Sequence, residues 1–563
     1  MSAKKVKLVL CWHMHQPEYR DMQSGEFKLP WTYLHVIKDY VDMVAHLEAT
    51  PAAKAVVNFA PILLEQIEDY SNQVNGYLHD RIAIKDPLLA ALVEPAVSAD
   101  PERRLKLLHD CRKANRERQI ERYPAFRKLI DMADWIQSHQ DSVNYVNAQF
   151  ISDILVWYHL VWMGETVKLS DGRVQRLIEK GSGFSLHDRI EIVEIIGDLL
   201  SRVIYRYKSL ARKGRIELSV TPYAHPIMPL MLQIDCAREA MPGVVLPGLE
   251  RYPGGEERVR WHLQKGVATF RHFFGFEPQG CWPSEGSVSE RTLQILAEAG
   301  FRWAASGGNV LHNSLHASGM AGSCSRHQPF KLHSADIACF FRDDGLSDLI
   351  GFEYSKWHAD DAVADLIKHL ENIADFDSQE PLVSIIMDGE NAWEYFPDNG
   401  YHFLSALYRR LSEHPRIELT TFSEYLDSNG NRKGELPQLV AGSWVYGTFS
   451  TWIGDADKNY GWDMLGDVKT AFDRAVANGK LSEQQLLLAQ TQLGVCEGSD
   501  WFWWFGDYNP GEAVSDFEKQ YRLNLTNLYR LLGEEPPAYL ALSFTQGSGN
   551  PAMGGAMRRG NQI

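Results

Sequence analysis

The sequence predicts an α/β fold in which parallel strands curl into an incomplete barrel. Short apolar runs without an amphipathic period recur along the chain, which is typical of strands buried on both faces. Segments with helical spacing separate most of these runs, as expected when helices cover a parallel sheet. There are seven such runs, one fewer than the strands of a closed eight-stranded barrel, so we expect the barrel to be incomplete.

The strands and helices follow one another in a regular order. The predicted strands lie at 6–12, 54–59, from 214 onward, 279–282, 301–306, 337–344 and 382–388. The helical patterns between the later strands lie at 259–274, 290–299 and 360–376. A short apolar run at 417–421 is compatible with an additional edge strand.

A long helical region interrupts the predicted barrel. From about 69 to 212, Leu, Ile and Trp recur at three- and four-residue spacing among many charged residues. We therefore expect a catalytic barrel over 1–430 that carries a helical insertion over about 69–212.

The composition changes after about residue 432. A Trp/Gly-rich segment at 440–462 predicts a loop, and 467–495 and 514–532 have helical patterns. We expect a helical region over 431–545 that completes the active site. Residues 546–563 are rich in Gly, Met, Asn and Arg, so they are expected to be disordered.

Composition and charge restrict the partners. The 563 residues are 45% hydrophobic and 23% charged, which is typical of a globular protein with a large core. A net charge of −16 argues against nucleic acid or an anionic membrane as partner and suits a neutral substrate. The seven cysteines form no C-x-x-C pair and the N-terminal apolar run is too short for a signal peptide, so we expect a cytoplasmic protein. No segment reaches membrane-spanning length.

Two of the predicted strands end at carboxylic acids. One apolar run stops at Asp388, and the strand 279–282 leads through Pro283 to Glu285. Side chains at the carboxyl ends of parallel strands meet at one rim, and a pair of carboxyl groups there is what glycoside hydrolysis requires. An Asp-Gly pair is also ordinary turn chemistry, which leaves a capping role open for Asp388. The other carboxyl groups expected near this rim are Glu217, Asp343, Asp344 and Glu353.

Histidines follow two other strand ends. The first strand is followed by His13-Met-His15-Gln16-Pro, and the third leads to Tyr-Ala-His225-Pro. His13 and His15 are two residues apart and point to the same side of a strand. They could bind a metal ion, donate hydrogen bonds to the hydroxyl groups of a ligand, or pack in the core.

In this order along the chain, these motifs resemble glycoside hydrolase family 57, in particular its α-amylase and amylopullulanase-like branch. The match consists of His-x-His-Gln-Pro, Tyr-x-His-Pro, Trp-Pro-Ser-Glu-Gly, Met-Asp-Gly-Glu-Asn-x-Trp-Glu and a late Trp-Ile-Gly with Lys-Asn. The resemblance implies a (β/α)7 barrel that acts on α-glucans with retention of anomeric configuration. It also implies that Glu285 is the nucleophile and Asp388 the general acid/base. Burial and the neighbouring Glu390 should raise the pKa of Asp388, which suits an acid.

The expected substrate contacts extend beyond the catalytic pair. The expected set is His13, His15, Gln16, His225, Trp303, Trp393, Trp452, Lys458, Asn459 and Asp500. An aromatic face packs on the C–H surface of a sugar while polar groups bind its hydroxyls, which suits Trp452 with Lys458 and Asn459. For Trp501 and Trp503 we expect packing of the helical region on the barrel.

Several alternatives remain open from the sequence. The motif around Asp388 departs from the forms of the transferases in the family, which favours hydrolysis of α-1,4 and also α-1,6 bonds over 4-α-glucanotransferase or branching activity. A zinc-dependent α-mannosidase or deacetylase with His13, His15 and His225 as ligands is a second alternative, although we expect no metal or other cofactor. A non-catalytic glucan-binding protein is a third, and the paired carboxyl groups argue against it.

Overall fold

The computed structural model describes residues 4–322, 324–377, 379–429, 433–549 and 558–559. Its strands are β1 (Val6–Met14), β2 (Ala55–Phe59), β3 (Ile216–Val220), β4 (Gly280–Cys281), β5 (Trp303–Ser306), β6 (Phe330–Leu332), β7 (Ala335–Phe341), β8 (Leu382–Asp388), β9 (Ile417–Leu419) and β10 (Gly434–Leu436).

The strands form one curled sheet. Seven of them form its central parallel part in the order β7-β5-β4-β3-β2-β1-β8, and these are the seven strands predicted from the apolar runs. The sheet order has β8 at one end and does not close onto β7. Across that opening, the Asp343 backbone N–H donates to Ser384 O at 2.8 Å. The prediction of an incomplete barrel is therefore confirmed.

Three short strands add to the sheet outside this order. The additional strand expected near 417–421 is β9, which pairs with the first residues of β1. Strands β6 and β10 were not predicted: β6 pairs antiparallel with β7, and β10 pairs parallel with β6. Each is only three residues long, which is too short for a two-residue periodicity to stand out in the sequence.

Two apolar cores lie on the two sides of this sheet. The inner core fills the barrel with side chains that include Trp282, Trp303 and Phe340, and Phe422 enters it from the end opposite the strand tips. Gly280 allows this packing, because a Cβ at that position would lie 1.7 Å from the Trp303 ring. The larger outer core joins the other face of the sheet to the surrounding helices.

The helices lie mainly outside the barrel and after it. They are α1 (Trp31–His35), α2 (Val41–Ala49), α3 (Pro61–Asp80), α4 (Pro87–Val93), α5 (Pro101–Asp110), α6 (Pro124–Ser138), α7 (Ala148–Trp162), α8 (Glu165–Ser170), α9 (Gly172–Lys180), α10 (Leu186–Arg212), α11 (Met228–Leu232), α12 (Gly255–Phe274), α13 (Glu290–Glu298), α14 (Gly308–Ala317), α15 (Asp344–Asp348), α16 (Ala359–Phe376), α17 (Tyr401–Glu413), α18 (Phe422–Asn429), α19 (Ala456–Ala477), α20 (Glu483–Cys496), α21 (Ser499–Trp504) and α22 (Gly511–Leu531). Helices α3 to α10 separate β2 from β3, in the stretch where the sequence shows helical spacing.

One local prediction in the last part of the chain was wrong. The loop expected over 440–462 ends earlier, because the Asp455 side chain accepts a hydrogen bond from the Asp457 N–H and starts α19 at Ala456. The helical pattern over 467–495 is confirmed and belongs to two helices, α19 and α20, and a capping box of Ser482 and Gln485 begins the second.

The remaining sequence predictions concern the end of the chain, the cysteines and membrane segments. The disorder expected over 546–563 falls largely on residues outside those that the structure describes. All seven cysteines are free thiols, and six of them are buried. Among the described helices, none combines the length and the hydropathy that a bilayer-crossing helix needs.

Candidate active site

A cavity of about 570 Å³ lies over the carboxyl ends of the barrel strands. Its walls come from the strand tips, from Trp31 and Trp162 in the helices around the barrel, and from the segment that contains α21 and the start of α22. Seven of the expected site residues line it: His13, His15, Gln16, His225, Glu285, Asp388 and Asp500. The structure therefore brings both expected catalytic carboxyl groups and all three histidines into one cavity.

Asp388 and His13 are neighbours across the sheet. In the register of β1 with β8, His13 lies opposite Asp388, so both side chains reach the rim from adjacent strands. The Asp388 carboxyl group accepts a hydrogen bond from Asn391 Nδ2 at 3.2 Å. His13 is held from the neighbouring strand β2, where Asn58 Oδ1 lies 2.7 Å from His13 Nδ1. This hydrogen bond places the ring proton on Nδ1.

Glu285 has an unusual backbone conformation. Its φ of 58° lies in the left-handed region, which costs a residue with a Cβ about 1–2 kcal/mol. Trp444 holds the residue in place twice: its backbone N–H donates to Glu285 O at 3.0 Å, and its indole N–H donates to Glu285 Oε2 at 2.9 Å. Strain of this kind persists where surrounding contacts impose it, and it is common at functional sites.

His225 is held in the same way by the region after the barrel. Its φ is 62°, also in the left-handed region, and its carbonyl accepts a hydrogen bond from Ser499 N at 2.9 Å. The Ser499 hydroxyl lies 2.8 Å from His225 Nδ1. Two isolated bridges, Pro226 with Gly498 and Val288 with Gly442, place backbone of the last region directly beside both strained residues.

The two carboxyl groups have raised pKa values. Burial raises the pKa of Glu285 well above its ordinary value, and the charges of Asp388 and Asp500 raise it further. Burial also raises the pKa of Asp388, to about 6, although Asn391 and the charges of His15 and Arg342 oppose the increase. Because burial disfavours the ionised form of both groups, and the charge of Asp388 raises the pKa of Glu285 further, the protonation of one group is coupled to that of the other.

A third carboxyl group lies beside this pair. Glu390 is buried, and burial together with the charge of Asp388 raises its pKa well above the ordinary value. Its Oε1 accepts from Gln16 Nε2 at 3.3 Å, and Gln16 Oε1 in turn accepts from the Tyr19 hydroxyl at 2.9 Å. Gln16 therefore contacts the cavity and also orients Glu390.

The three histidines form a stack that borders the cavity. The rings of His15 and His225 lie 3.8 Å apart between centroids, and His13 Nε2 lies 3.2 Å from His225 Nε2. Burial lowers the pKa of His13 to about 3 and that of His225 well below its ordinary value, so both rings are neutral at neutral pH. His15 Nε2 bonds Asp500 Oδ1 at 2.8 Å, while its buried Nδ1 has no partner among the described residues.

This histidine stack could serve either a sugar or a metal ion. Among the residues that the structure describes, His13, His15 and His225 are the group whose ligand atoms come close enough to hold a metal, all within 4.8 Å of one another. Neutral imidazoles also exchange hydrogen bonds with hydroxyl groups. The Nδ1 atoms of His13 and His225 already bond Asn58 and Ser499, and their Nε2 atoms face each other at 3.2 Å, so a ligand of either Nε2 atom would replace that contact.

Two of the expected substrate contacts lie in the cores instead. Trp303 is fully buried inside the barrel, where its indole N–H donates to Glu217 Oε1 at 2.7 Å. Trp393 is buried between the barrel and α17, and its indole N–H donates to Gly389 O at 2.9 Å. Neither lines the cavity, because packing and a hydrogen bond inside the protein already occupy each indole ring.

The expected Trp452, Lys458 and Asn459 subsite also lies outside the cavity. All three side chains are buried, and Lys458 Nζ donates to Thr451 O at 2.5 Å and to Phe502 O at 2.6 Å. Asn459 bonds the backbone at Gly454 and Val245. These residues therefore pack behind the cavity wall. The ring centroid of Trp452 lies 5.9 Å from that of Trp503, which lines the cavity.

Other residues reach the cavity that the sequence did not assign to it. The Trp444 indole N–H donates a hydrogen bond to Glu285. Its motif Ser443-Trp444 lies in the Trp/Gly-rich segment, and that motif could have indicated a residue of the site. Arg342 lies at the end of β7 and is buried, with its guanidinium 5.5 Å from the Trp444 ring centroid. Trp503 lines the cavity where only packing was expected. The long-range contacts of these three side chains could not be derived from local sequence.

Comparison with solved structures gives the same fold at low identity. A branching enzyme from Pyrococcus horikoshii matches with a TM-score of 0.57 and 16% identity, covering 94% of this chain and 89% of that one. A branching enzyme from Thermococcus kodakaraensis gives 0.56 and 15%, covering 96% and 92%. The α-amylase AmyC from Thermotoga maritima gives 0.53 and 14%, covering 94% and 93%. No curated protein matches the sequence significantly.

A family model covers most of the chain. The model described as glycosyl hydrolase family 57 matches residues 9–437, a span that begins in β1 and ends just after β10. It includes both carboxyl groups and the three histidines of the cavity. The chain belongs to glycosyl hydrolase family 57.

Proposed function

We propose that this protein cleaves α-1,4-glucosidic bonds of starch- or glycogen-type glucans with retention, and that it also accepts α-1,6 bonds. Glu285 acts as the nucleophile and Asp388 as the general acid/base. The observation that carries this proposal is the placement of the two carboxyl groups in one cavity, where the charge of Asp388 raises the pKa of Glu285. A pair that retains one proton supplies the ionised and the protonated group that the reaction needs.

The proposed reaction has two steps at the anomeric carbon. Glu285 attacks that carbon while Asp388 donates its proton to the departing glycosidic oxygen, which gives a covalent glycosyl-enzyme. Asp388 is then ionised and removes a proton from the water that releases the sugar, so Glu285 leaves as a carboxylate. The Trp444 indole N–H, which donates to Glu285 Oε2, stabilises that carboxylate and orients it.

The neutral histidines suit the ring on which this reaction takes place. A sugar hydroxyl that replaces the contact between the Nε2 atoms of His13 and His225 would bond neutral rings, which add no positive charge beside Glu285. His15 Nδ1, which is buried and has no partner among the described residues, is a further position for a sugar hydroxyl. Asp500 Oδ1 bonds the other nitrogen of that ring, His15 Nε2.

Transfer to a second glucan is the main alternative. One solved structure of similar fold is that of a 4-α-glucanotransferase from Thermococcus litoralis, and others are those of branching enzymes. Hydrolysis and transfer share the glycosyl-enzyme and differ only in the acceptor that enters the cavity, so the same residues would serve both reactions.

Product analysis on maltoheptaose and pullulan tests the proposal. Hydrolysis raises the concentration of reducing ends, and proton NMR of the first product formed should show the α-anomer, as retention requires. Transfer would redistribute chain lengths without new reducing ends, and branching would create α-1,6 linkages from an α-1,4 chain. An absence of any change in these glucans, or a β-anomeric product, would contradict the proposal.

Metal independence is a separate expectation about the histidine stack. Activity should survive exhaustive chelation, because Glu285 and Asp388 provide the nucleophile and the acid without a metal. Loss of activity on chelation, with recovery on adding zinc, would instead assign His13, His15 and His225 as metal ligands.

A further inference from the structure

An arginine far along the chain from the barrel lines the same cavity. Arg558 follows α22, and its guanidinium carbon lies 4.8 Å from the centroid of the Trp503 ring and 5.0 Å from that of Tyr508. Arg558 Nη2 donates to Asn509 Oδ1 at 3.3 Å, and the guanidinium also bonds the Tyr508 hydroxyl. Stacking on two rings fixes the plane of the guanidinium group against one wall of the cavity.

The next residue contacts a different wall. Arg559 Nη2 donates to Glu353 Oε1 at 2.6 Å, and its guanidinium lies 5.0 Å from the Phe352 ring centroid. Phe352 lines the cavity in the segment between β7 and β8, while Trp503 lines it from α21. Two consecutive arginines therefore contact two different walls, so the backbone between them is held at the cavity.

Arg558 differs from the other cations of this cavity in its partners. All three side-chain nitrogens of Arg342 donate to groups of the protein. Lys113 forms ion pairs with Glu512 and Asp516 at 2.7 and 3.5 Å. Among the described residues, the hydrogen-bond partners of Arg558 are an amide and a hydroxyl, whereas a guanidinium has five N–H donors. Arg558 therefore retains donors for a ligand.

The charge of Arg558 also affects the pKa of Glu285, the expected nucleophile. Burial, Asp388 and Asp500 raise the pKa of Glu285, and the charge of Arg558 acts in the opposite direction together with the Trp444 hydrogen bond. A cation that favours the ionised nucleophile would be useful in a cavity that otherwise carries several carboxyl groups.

We propose that Arg558 is a substrate-binding residue, which together with the Trp503 ring forms a subsite for a glucose unit of the glucan near Glu285. The indole face of Trp503 packs on the C–H surface of the sugar, and the free guanidinium donors bind its hydroxyl groups. Arg559 is a positioning residue that keeps Arg558 in the cavity through Glu353. This inference rests on the proposed α-glucan activity.

The test compares four single variants on maltooligosaccharides of increasing length. Arg558→Ala should raise KM for maltoheptaose about tenfold with little change in kcat, because a binding contact away from the reacting atoms is lost. Arg559→Ala should raise KM by a smaller factor in the same direction. Arg558→Lys keeps the charge but not the planar, stacked fork, so it should restore only part of the affinity. Arg530→Ala, an exposed arginine on α22, is the matched control and should equal the parent.

The pH profile separates this role from a purely structural one. Loss of the Arg558 charge raises the pKa of Glu285, so the acidic limb of kcat/KM should move to higher pH in Arg558→Ala and return in Arg558→Lys. An unchanged KM together with an unchanged limb would overturn the proposal. A KM below that of the parent would also overturn it, because Arg558 would then compete with the glucan for the cavity.

Binding without turnover distinguishes failure of this inference from failure of the proposed function. Calorimetry with maltoheptaose should show binding to Asp388→Asn and binding about tenfold weaker to Asp388→Asn with Arg558→Ala. If Asp388→Asn binds no glucan and the parent turns none over, the proposed function fails. Equal binding by the two proteins would reject the role of Arg558 and leave the function intact.

Discussion

The protein contains two buried clusters of glutamate and histidine that differ in their partners. In the active-site cluster, Glu285 is surrounded by Asp388, Asp500 and neutral imidazoles, and its pKa is raised by burial first and by those charges next. In the second cluster, Glu497 accepts two hydrogen bonds from Arg258 at 2.8 and 2.7 Å. Burial alone would raise the pKa of Glu497, but the charge of Arg258 and the His262 bond lower it to about 2.

The difference shows how the same residue types serve two purposes. A carboxylate paired with a buried arginine stays ionised and holds structure together, whereas a carboxyl group beside other carboxyl groups retains a proton that it can exchange. The two clusters are also linked along the chain. Glu497 directly precedes Gly498, Ser499 and Asp500, the residues that bond Pro226, His225 and His15 respectively. The cluster around Glu497 thus fixes the segment that positions the histidines of the active site.

The largest expected effect is a loss of catalytic rate when either member of the proposed catalytic pair is replaced. Glu285→Gln and Asp388→Asn should each lower kcat on maltoheptaose on the order of 10⁴-fold, because the first removes the nucleophile and the second the proton donor. Glu298→Gln, at an exposed position on α13, is the control and should keep full activity. Steady-state kinetics that show either variant within tenfold of the parent would remove that residue from the proposed pair.

Breaking the structural cluster should cost stability. Arg258→Met leaves Glu497 buried without its main partner and should lower the free energy of unfolding by about 3–5 kcal/mol. Adding Glu497→Gln in the same chain should recover much of this loss, because the unpaired charge is removed. Urea unfolding measures both proteins. A single variant as stable as the parent would contradict the structural role.

Substitution of Trp452 tests whether the residues behind the cavity wall contribute to stability and not to substrate binding. Its side chain is fully buried, so Trp452→Ala should lower the free energy of unfolding by about 3–5 kcal/mol. KM and kcat of the remaining folded protein should change little. A normal thermal midpoint with weakened catalysis would restore the substrate contact that the sequence suggested.

The smallest expected effect concerns pH and separates the two clusters within one protein. The pKa of Asp388 is raised to about 6, so kcat/KM should fall about tenfold per pH unit above pH 6 as Asp388 loses the proton that it donates to the leaving group. The lowered pKa of Glu497 stabilises the fold above pH 4.5, and that contribution, on the order of 3 kcal/mol, is lost only as pH falls from about 4.5 to 2.

At pH 8 the protein should therefore have lost most of its activity and should still be folded. Circular dichroism and activity measured on the same samples would check this, with activity assayed again after return to pH 6. Simultaneous loss of signal and activity would show that one titration governs both clusters.

The sequence by itself determined the barrel and the rim. Burial of a strand on both faces requires a continuous apolar run, which is a local property, so the runs ending before His13, Glu285 and Asp388 could be recognised without tertiary contacts. Because parallel strands bring their carboxyl ends to one rim, these residues could also be expected together. The cavity contains all three.

Only the tertiary structure decided which polar and aromatic residues face that cavity. Trp452 and Trp503 occur in similar Trp-rich surroundings, yet the first is enclosed behind the wall and the second lines it. Glu285 and Glu497 are both buried but have opposite pKa shifts, because the charges of Asp388 and Asp500 add to the effect of burial on Glu285, whereas Arg258 and His262 outweigh it for Glu497. Electrostatic and packing environments are set by residues that approach through the fold, and no local pattern of residue types records those approaches.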